Sequence, residues 1–231
     1  MEYSKVIAID GPSGSGKSTI AKKLARSLNL LYIDTGAMFR AIAYQVNEEG
    51  IELNWSMGLG DFISSMDMQY GLSDECLISI NGHNLTDKIR EHHVSKLASI
   101  ISQIPEIRSY LLDYQRNLAK NDVCVMEGRD IGTVVFPNAF CKFFVTASVE
   151  VRSKRRLEQL VESGDENVTL SQVMKDVEKR DKSDMSRDVA PLKQASDAKL
   201  VDTSSMNIES VLEELKLGAL NKAQEVGITI Q

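Results

Sequence analysis

Gly11-Pro12-Ser13-Gly14-Ser15-Gly16-Lys17-Ser18 satisfies the pattern G-x-x-x-x-G-K-[ST] at every fixed position. Its flanks decide what the match means. Before it, Val6 to Ile9 form an unbroken apolar run that reads as a buried strand. After it, Ile20, Leu24 and Leu28 recur every four residues, as on one face of a helix. Strand, glycine loop and helix in that order build a phosphate cradle. The glycines let backbone N–H groups curl around phosphate oxygens, and the helix starting near Lys17 points its free N–H groups at the same place. Lys17 adds a movable positive charge, and the Ser18 hydroxyl is placed to ligate Mg²⁺. Gly11 to Ser18, continued by Thr19, are therefore the expected triphosphate-binding residues.

Working outward, short apolar runs alternate with helical patterns. Strands are expected at Lys5–Asp10, Leu30–Ile33, Val123–Met126, Lys142–Thr146 and Ala198–Asp202. Each is brief and rich in Val, Ile, Leu or Phe, as in a parallel sheet covered on both faces. Val94, Leu97, Ala98, Ile101 and Ile104 share one helix face. Ile107, Leu111, Tyr114 and Leu118 share another after the break at Pro105, and Ile208, Val211, Leu212 and Leu215 mark a C-terminal helix. This alternation predicts a doubly wound α/β fold with ligands beyond the carboxyl ends of the strands. The glycine loop, Gly128-Arg129-Asp130 and Asp202-Thr203-Ser204 all directly follow expected strands, so all should face one crevice.

Two regions depart from the alternation. Residues 62–90 lack helix periodicity, and Leu77 to Leu85 with Asn81-Gly82 at the centre read as a β-hairpin within an inserted lobe. Residues 162–190 are charged and poor in apolar side chains, which fits either a solvated helix hairpin or a mobile lid over the triphosphate.

The 231 residues carry a net charge of −6, which argues against a broad basic face for nucleic acid. The three cysteines, Cys76, Cys124 and Cys141, are widely spaced, form no C-x-x-C and suit a reducing compartment. No apolar stretch approaches the ~20 residues of a membrane helix. The first residues are too short and polar for a signal peptide, so a cytoplasmic protein is expected. Nothing calls for a partner subunit, and a monomer is expected.

The arginines narrow the chemistry. Phosphoryl transfer between two phosphates must overcome anion repulsion, but it needs no general base, because a phosphate monoester is largely ionised near pH 7. It needs fixed positive charge, arginine above all. Arg40 and Arg129 follow expected strands, Arg108 opens a helix after Pro105, and Arg180 and Arg187 flank Asp181 and Asp184. Arg152, Lys154, Arg155 and Arg156 lie on a helix after the fourth strand, where one could reach the triphosphate or all could form a solvated face.

Four segments carry a family resemblance. They are Ile9 to Thr19, Asp34-Thr35-Gly36-Ala37-Met38-Phe39-Arg40, Glu127-Gly128-Arg129-Asp130-Ile131-Gly132-Thr133-Val134-Val135-Phe136-Pro137, and Arg180-Asp181 with Asp184, Arg187 and Val189-Ala190-Pro191-Leu192. In these the chain resembles the bacterial cytidylate kinases of the nucleoside monophosphate kinase family, nearly end to end and in order. The resemblance implies a P-loop nucleoside monophosphate kinase fold with a five-stranded parallel core and helices on both faces. The core would span about 1–40, 105–161 and 190–231, an NMP-binding lobe about 41–104, and a lid about 162–189.

The resemblance also implies transfer of the ATP γ-phosphate to CMP or dCMP with Mg²⁺ as cofactor. Lys17, Arg129, Arg180 and Arg187 would be catalytic. Thr35, Arg40, Ser99, Arg108, Arg129, Asp130 and Asp184 would bind the acceptor, with Ser99 and Asp130 at the cytosine. A carboxylate accepts well from the cytosine N4 amine and repels the carbonyl of uracil. Thr203 and Ser204 would lie near the adenine. Relatives often carry Asp where this chain has Glu127. Ser18 is the expected metal ligand, and Asp10 and Asp34 are alternative partners through water.

Kinases of AMP, UMP, shikimate or gluconate are the alternatives on this fold. A hydroxyl acceptor would need a base, which Asp34 could supply. A GTPase-like switch would require N-K-x-D, which the chain lacks.

Overall fold

The computed structural model describes residues 2–73, 75–162, 164 and 167–230, with His92 described through its backbone alone. Ser163, Asp165 and Glu166, which fall in the segment read as a lid, lie outside the described residues. The chain forms two compact units, one of residues 1–34 with 116–231 and the other of residues 35–115.

The first unit is built on β1 (Ser4–Asp10). Val6 to Ile9 are wholly buried, as the continuous apolar run requires of a strand covered on both faces. The glycine loop then leads into α1 (Lys17–Ser27) and on to β2 (Leu31–Asp34).

The second unit opens with α2 (Thr35–Glu48), α3 (Met57–Ser65) and β3 (Met68–Tyr70). It continues through β4 (Ile78–Ile80), β5 (His83–Asn84), a 3₁₀ turn at Lys88–Arg90, α4 (His92–Ile101) and most of α5 (Pro105–Leu118). β6 (Cys124–Gly128) returns to the first unit. There follow a π turn at Ile131–Val135, β7 (Ala139–Thr146), α6 (Val149–Glu162), α7 (Leu170–Ser186), β8 (Lys199–Asp202) and α8 (Ile208–Val226).

The five strands of the first unit are all parallel, in the order β2-β6-β1-β7-β8. Each expected strand is present within a residue or two, except that β7 starts at Ala139 rather than Lys142. Ala139-Phe140-Cys141 are buried, and their mixed small and aromatic character hid the strand from pattern reading. Ile20, Ala21 and Leu24 of α1 and Leu215, Ala219 and Ala223 of α8 join Phe140, Phe143 and Val145 in one core cluster. α8 stops at Gly227, whose φ of 73° is the left-handed conformation that a side chain resists.

The second unit departs further from its expected form. The hairpin is present: Asn81 and Gly82 have φ of 51° and 79°, as a two-residue turn of the primed type demands. Met68–Tyr70 adds an antiparallel strand to it, making a three-stranded sheet. The start of the span read as non-helical belongs to α3, capped by Ser56, whose side chain accepts from the Leu59 N–H. Only Leu59, Phe62 and Ile63 of that helix are buried, too short a stripe to register as periodicity.

In the charged segment, α6 and α7 pack through Leu160, Val173 and Val177, and Thr169 with Gln172 forms a capping box at the start of α7. Among the described residues no helix is long and apolar enough to cross a membrane.

Candidate active site

The loop after β1 is held tightly. Gly11 passes so close to β7 that a Cβ would lie 2.0 Å from the Val145 carbonyl oxygen. Gly16, with φ of 86°, caps α1 and frees its first N–H groups for an anion. Lys17 is 6% exposed, and its Nζ donates to the Pro12 carbonyl at 3.2 Å. Burial, with the nearby Arg129 and Arg180 guanidinium groups, brings the Lys17 ammonium down to about 7 against the opposing pull of Glu127 and Asp34. Cations crowded in this way form a site for a polyanion.

Glu127, at the end of β6, is buried on the same side. Burial and the Asp34 charge push its carboxyl up, while Lys17 and hydrogen bonds from Ser18 and Tyr32 pull it down, with a net rise. The Tyr32 hydroxyl donates to it at 2.8 Å. The Ser18 hydroxyl, the Glu127 carboxylate and the neighbouring Asp34 carboxylate thus supply hard oxygen donors beside the phosphate loop. This set fits Mg²⁺, which takes one or two carboxylates and keeps several waters.

Asp10, one of the two carboxylates offered as partners of the metal through water, is engaged with the backbone after β6. Its two carboxylate oxygens accept from the backbone N–H groups of Ile131 at 2.8 Å and Gly132 at 2.7 Å. Burial drives its carboxyl up to about 7 despite these two bonds.

Three expected arginines converge on Asp184 of α7. Arg129 Nε donates to its carboxylate at 2.9 Å. Burial pushes the Asp184 carboxyl up, but the charges of Arg129, Arg180 and Arg187 and the Arg129 hydrogen bond together outweigh it, and the net shift is downward. Arg187 donates from Nε to the Ala190 carbonyl at 2.6 Å, and its guanidinium lies 3.6 Å from the Asp130 carboxylate. Asp130 is buried. Arg129, Asp130, Arg180, Asp184 and Arg187 therefore form one charged network with Lys17.

The arginine cluster on α6 divides. Arg152 is buried and forks onto Asp181 at 3.1 and 2.6 Å, while also donating to the carbonyls of Ala147 and Ser13. Arg155 donates to the Ser15 carbonyl at 3.2 Å and to Thr203. Both brace the phosphate loop through its carbonyls. Lys154 is exposed and pairs with Glu150 along the helix, and Arg156 reaches Gln159. Thr203 is buried with its hydroxyl 3.1 Å from the Ser15 carbonyl, and the Ser204 hydroxyl accepts from the Ser148 N–H. The ends of β1, β6 and β8 thus meet, as the strand pattern predicts.

In the second unit, Thr35 is buried at the start of α2, and Arg40, Ser99 and Arg108 are half-buried. The Arg108 guanidinium lies over the Phe39 ring, 5.5 Å from its centroid, and donates to the Ser102 carbonyl. That contact sets Arg108 beside the turn of α2 that carries Arg40.

Sequence reading missed Tyr32, Arg116 and the partners chosen by Asp10, Arg152 and Asp181. The bond between Arg152 and Asp181 spans 29 residues and that between Asp10 and Gly132 spans 122, so no local pattern announces either.

A parallel sheet in this order, a G-x-x-x-x-G-K-S loop at the carboxyl end of its central strand and an arginine network beside the loop define a P-loop kinase of the nucleoside monophosphate kinase type. The cytidylate kinase family profile matches residues 7–219. The chain is 44% identical over 217 residues to a cytidylate kinase of Exiguobacterium sp., covering 94% of this chain and 96% of that one. It is 44% identical to a cytidylate kinase of Caldicellulosiruptor bescii, covering 90% and 92%. A solved gluconokinase from Sinorhizobium meliloti superposes with a TM-score of 0.51 at 13% identity, covering 98% of this chain and 97% of that one, a likeness of fold alone. The chain belongs to the cytidylate kinase family.

Proposed function

We propose that the protein transfers the γ-phosphoryl group of ATP to CMP or dCMP, giving CDP or dCDP and ADP. The observation that carries this reading is the buried Lys17 set against Arg129, Arg180 and Glu127 at the mouth of the phosphate loop. Within residues 11–19, the backbone N–H groups of all but Pro12 are available to hold the triphosphate. Lys17, Arg129, Arg180 and Arg187 neutralise charge on the transferring group and bring the two anions within reach of in-line attack. No residue needs to deprotonate the acceptor, whose phosphate is already ionised.

Ser18, with Glu127 and Asp34 as further oxygen donors, would hold Mg²⁺, which when bound would supply charge neutralisation to the triphosphate. Thr35, Arg40, Ser99, Arg108, Arg129, Asp130 and Asp184 bind the acceptor, with Asp130 accepting from cytosine N4.

The reading is tested by ADP formation from Mg·ATP with CMP, dCMP, UMP, AMP, GMP, shikimate and gluconate. Strong turnover with CMP and dCMP, weak turnover with UMP and none with the rest is expected. Turnover confined to a hydroxyl acceptor would overturn the acceptor assignment and leave the triphosphate site standing.

A further inference from the structure

The segment that follows β6 carries Arg129 and Asp130, two of the residues assigned above to the acceptor. Its backbone is wound into a single π turn. The Asp130 carbonyl accepts from Val134 at 2.8 Å and from Val135 at 3.1 Å, and the Ile131 carbonyl accepts from Phe136 at 2.7 Å. One wide turn of this kind cannot hold itself, because its first N–H groups and last carbonyls have no partner inside it.

Side chains from two other parts of the chain supply those partners. At the amino end, the Asp10 carboxylate accepts from the Ile131 and Gly132 N–H groups. At the carboxyl end, Arg116 Nε donates to the Val135 carbonyl at 3.0 Å, and a second guanidinium nitrogen donates to the Val134 carbonyl at 3.2 Å. The two carboxylate oxygens thus receive the free N–H groups at one end of the turn, and a guanidinium covers the free carbonyls at the other. Gly132 permits the approach: a Cβ there would lie 3.1 Å from Lys142 Cδ and 3.4 Å from the nearer Asp10 oxygen.

We propose that Asp10 and Arg116 are positioning residues for acceptor recognition, a two-ended clamp that fixes the Arg129-Asp130 backbone and so the carboxylate that reads the base. The assignment rests on the proposed role of Asp130. Asp10 also adjoins Gly11, so the clamp ties the segment bearing Asp130 to the root of the phosphate loop. Neither clamp residue touches a nucleotide in this account; each acts through the backbone of the turn.

The test compares Asp10→Asn, Arg116→Met, Arg116→Lys and Asp130→Asn in the full-length protein, reading kcat and KM for CMP, UMP and ATP. An amide at position 10 can accept from one N–H but presents its own N–H to the other. Arg116 is exposed and remote in sequence from the glycine loop, so Arg116→Met decides alone should Asp10→Asn fail to fold. Each of these two variants is expected to reduce the CMP-over-UMP ratio of kcat/KM roughly tenfold, as small misplacements at a recognition site do. The ATP KM of Arg116→Met should stay within about twofold of wild type, and Arg116→Lys should recover part of the ratio.

A role in stability alone would lower the amount of folded enzyme and leave the ratio untouched. A wild-type ratio in Arg116→Met, alongside an eroded ratio in Asp130→Asn, overturns the clamp and spares the base reading. An unchanged ratio in Asp130→Asn overturns the base reading itself, and the clamp's assignment falls with it.

Discussion

Lys17 is held in the folded chain at a cost. Its ammonium is buried near two guanidinium groups, and its pKa falls from an ordinary 10.5 to about 7. Below pH 7 the lysine is charged in both folded and unfolded chains, and the full penalty of burying that charge weighs on the fold. Between about 7 and 10.5 the folded chain sheds the proton while the unfolded chain keeps it, so the penalty fades as pH rises. Lys17→Met should therefore raise the Tm of the ligand-free protein by several degrees at pH 6, with the gain shrinking towards pH 10. If that charge acts on the transferring phosphoryl as proposed, the same variant should lose turnover by about a hundredfold or more. Melting curves and initial rates on one preparation check both; a stabilised variant with near-normal kcat would remove Lys17 from the mechanism. Lys17 and Ser18 were legible in the sequence because the loop that places them is local. Asp10 was not, since its role lies in N–H groups more than a hundred residues away.

Among the elements, α7 shows what a sequence pattern can and cannot convey. Its start was written in Thr169 and Gln172, a capping box readable from spacing alone. Its attachment was not, because the charged segment fitted a solvated hairpin as well as a lid, and Arg152 lies 29 residues from Asp181. In the structure Asp181 and Arg152 form a buried pair, with side chains 12% and 5% exposed. Arg152→Met would strand the carboxylate, a change that costs about 3–5 kcal/mol and should lower Tm by roughly 10 °C. Arg152→Met with Asp181→Leu should regain most of that loss, because apolar groups of similar volume replace a buried pair well. Thermal unfolding of the single and double variants reads this directly; equal Tm values for both would show that the pair contributes nothing specific. The π turn after β6 was likewise invisible, since Ile131 to Val135 carry no helical periodicity and their side-chain partners, Asp10 and Arg116, lie far off in the sequence.

At the scale of the whole molecule, the parallel sheet and its crevice followed from five short apolar runs and the rule that places ligands beyond strand carboxyl ends. The second unit was less legible. Its three-stranded sheet is made of strands of two or three residues, too brief for alternation to be counted. The lysine-centred network lies in the first unit, while Thr35, Arg40, Ser99 and Arg108 belong to the second. The central claim is that these residues serve transfer of a phosphoryl group from ATP to a cytidine monophosphate. The most direct test supplies ATP labelled at its terminal phosphate, CMP and Mg²⁺, and follows the label by mass spectrometry. The account predicts CDP carrying the label in its outer phosphate, with unlabelled ADP in equal amount. Label recovered as inorganic phosphate, with CMP unchanged, would contradict it.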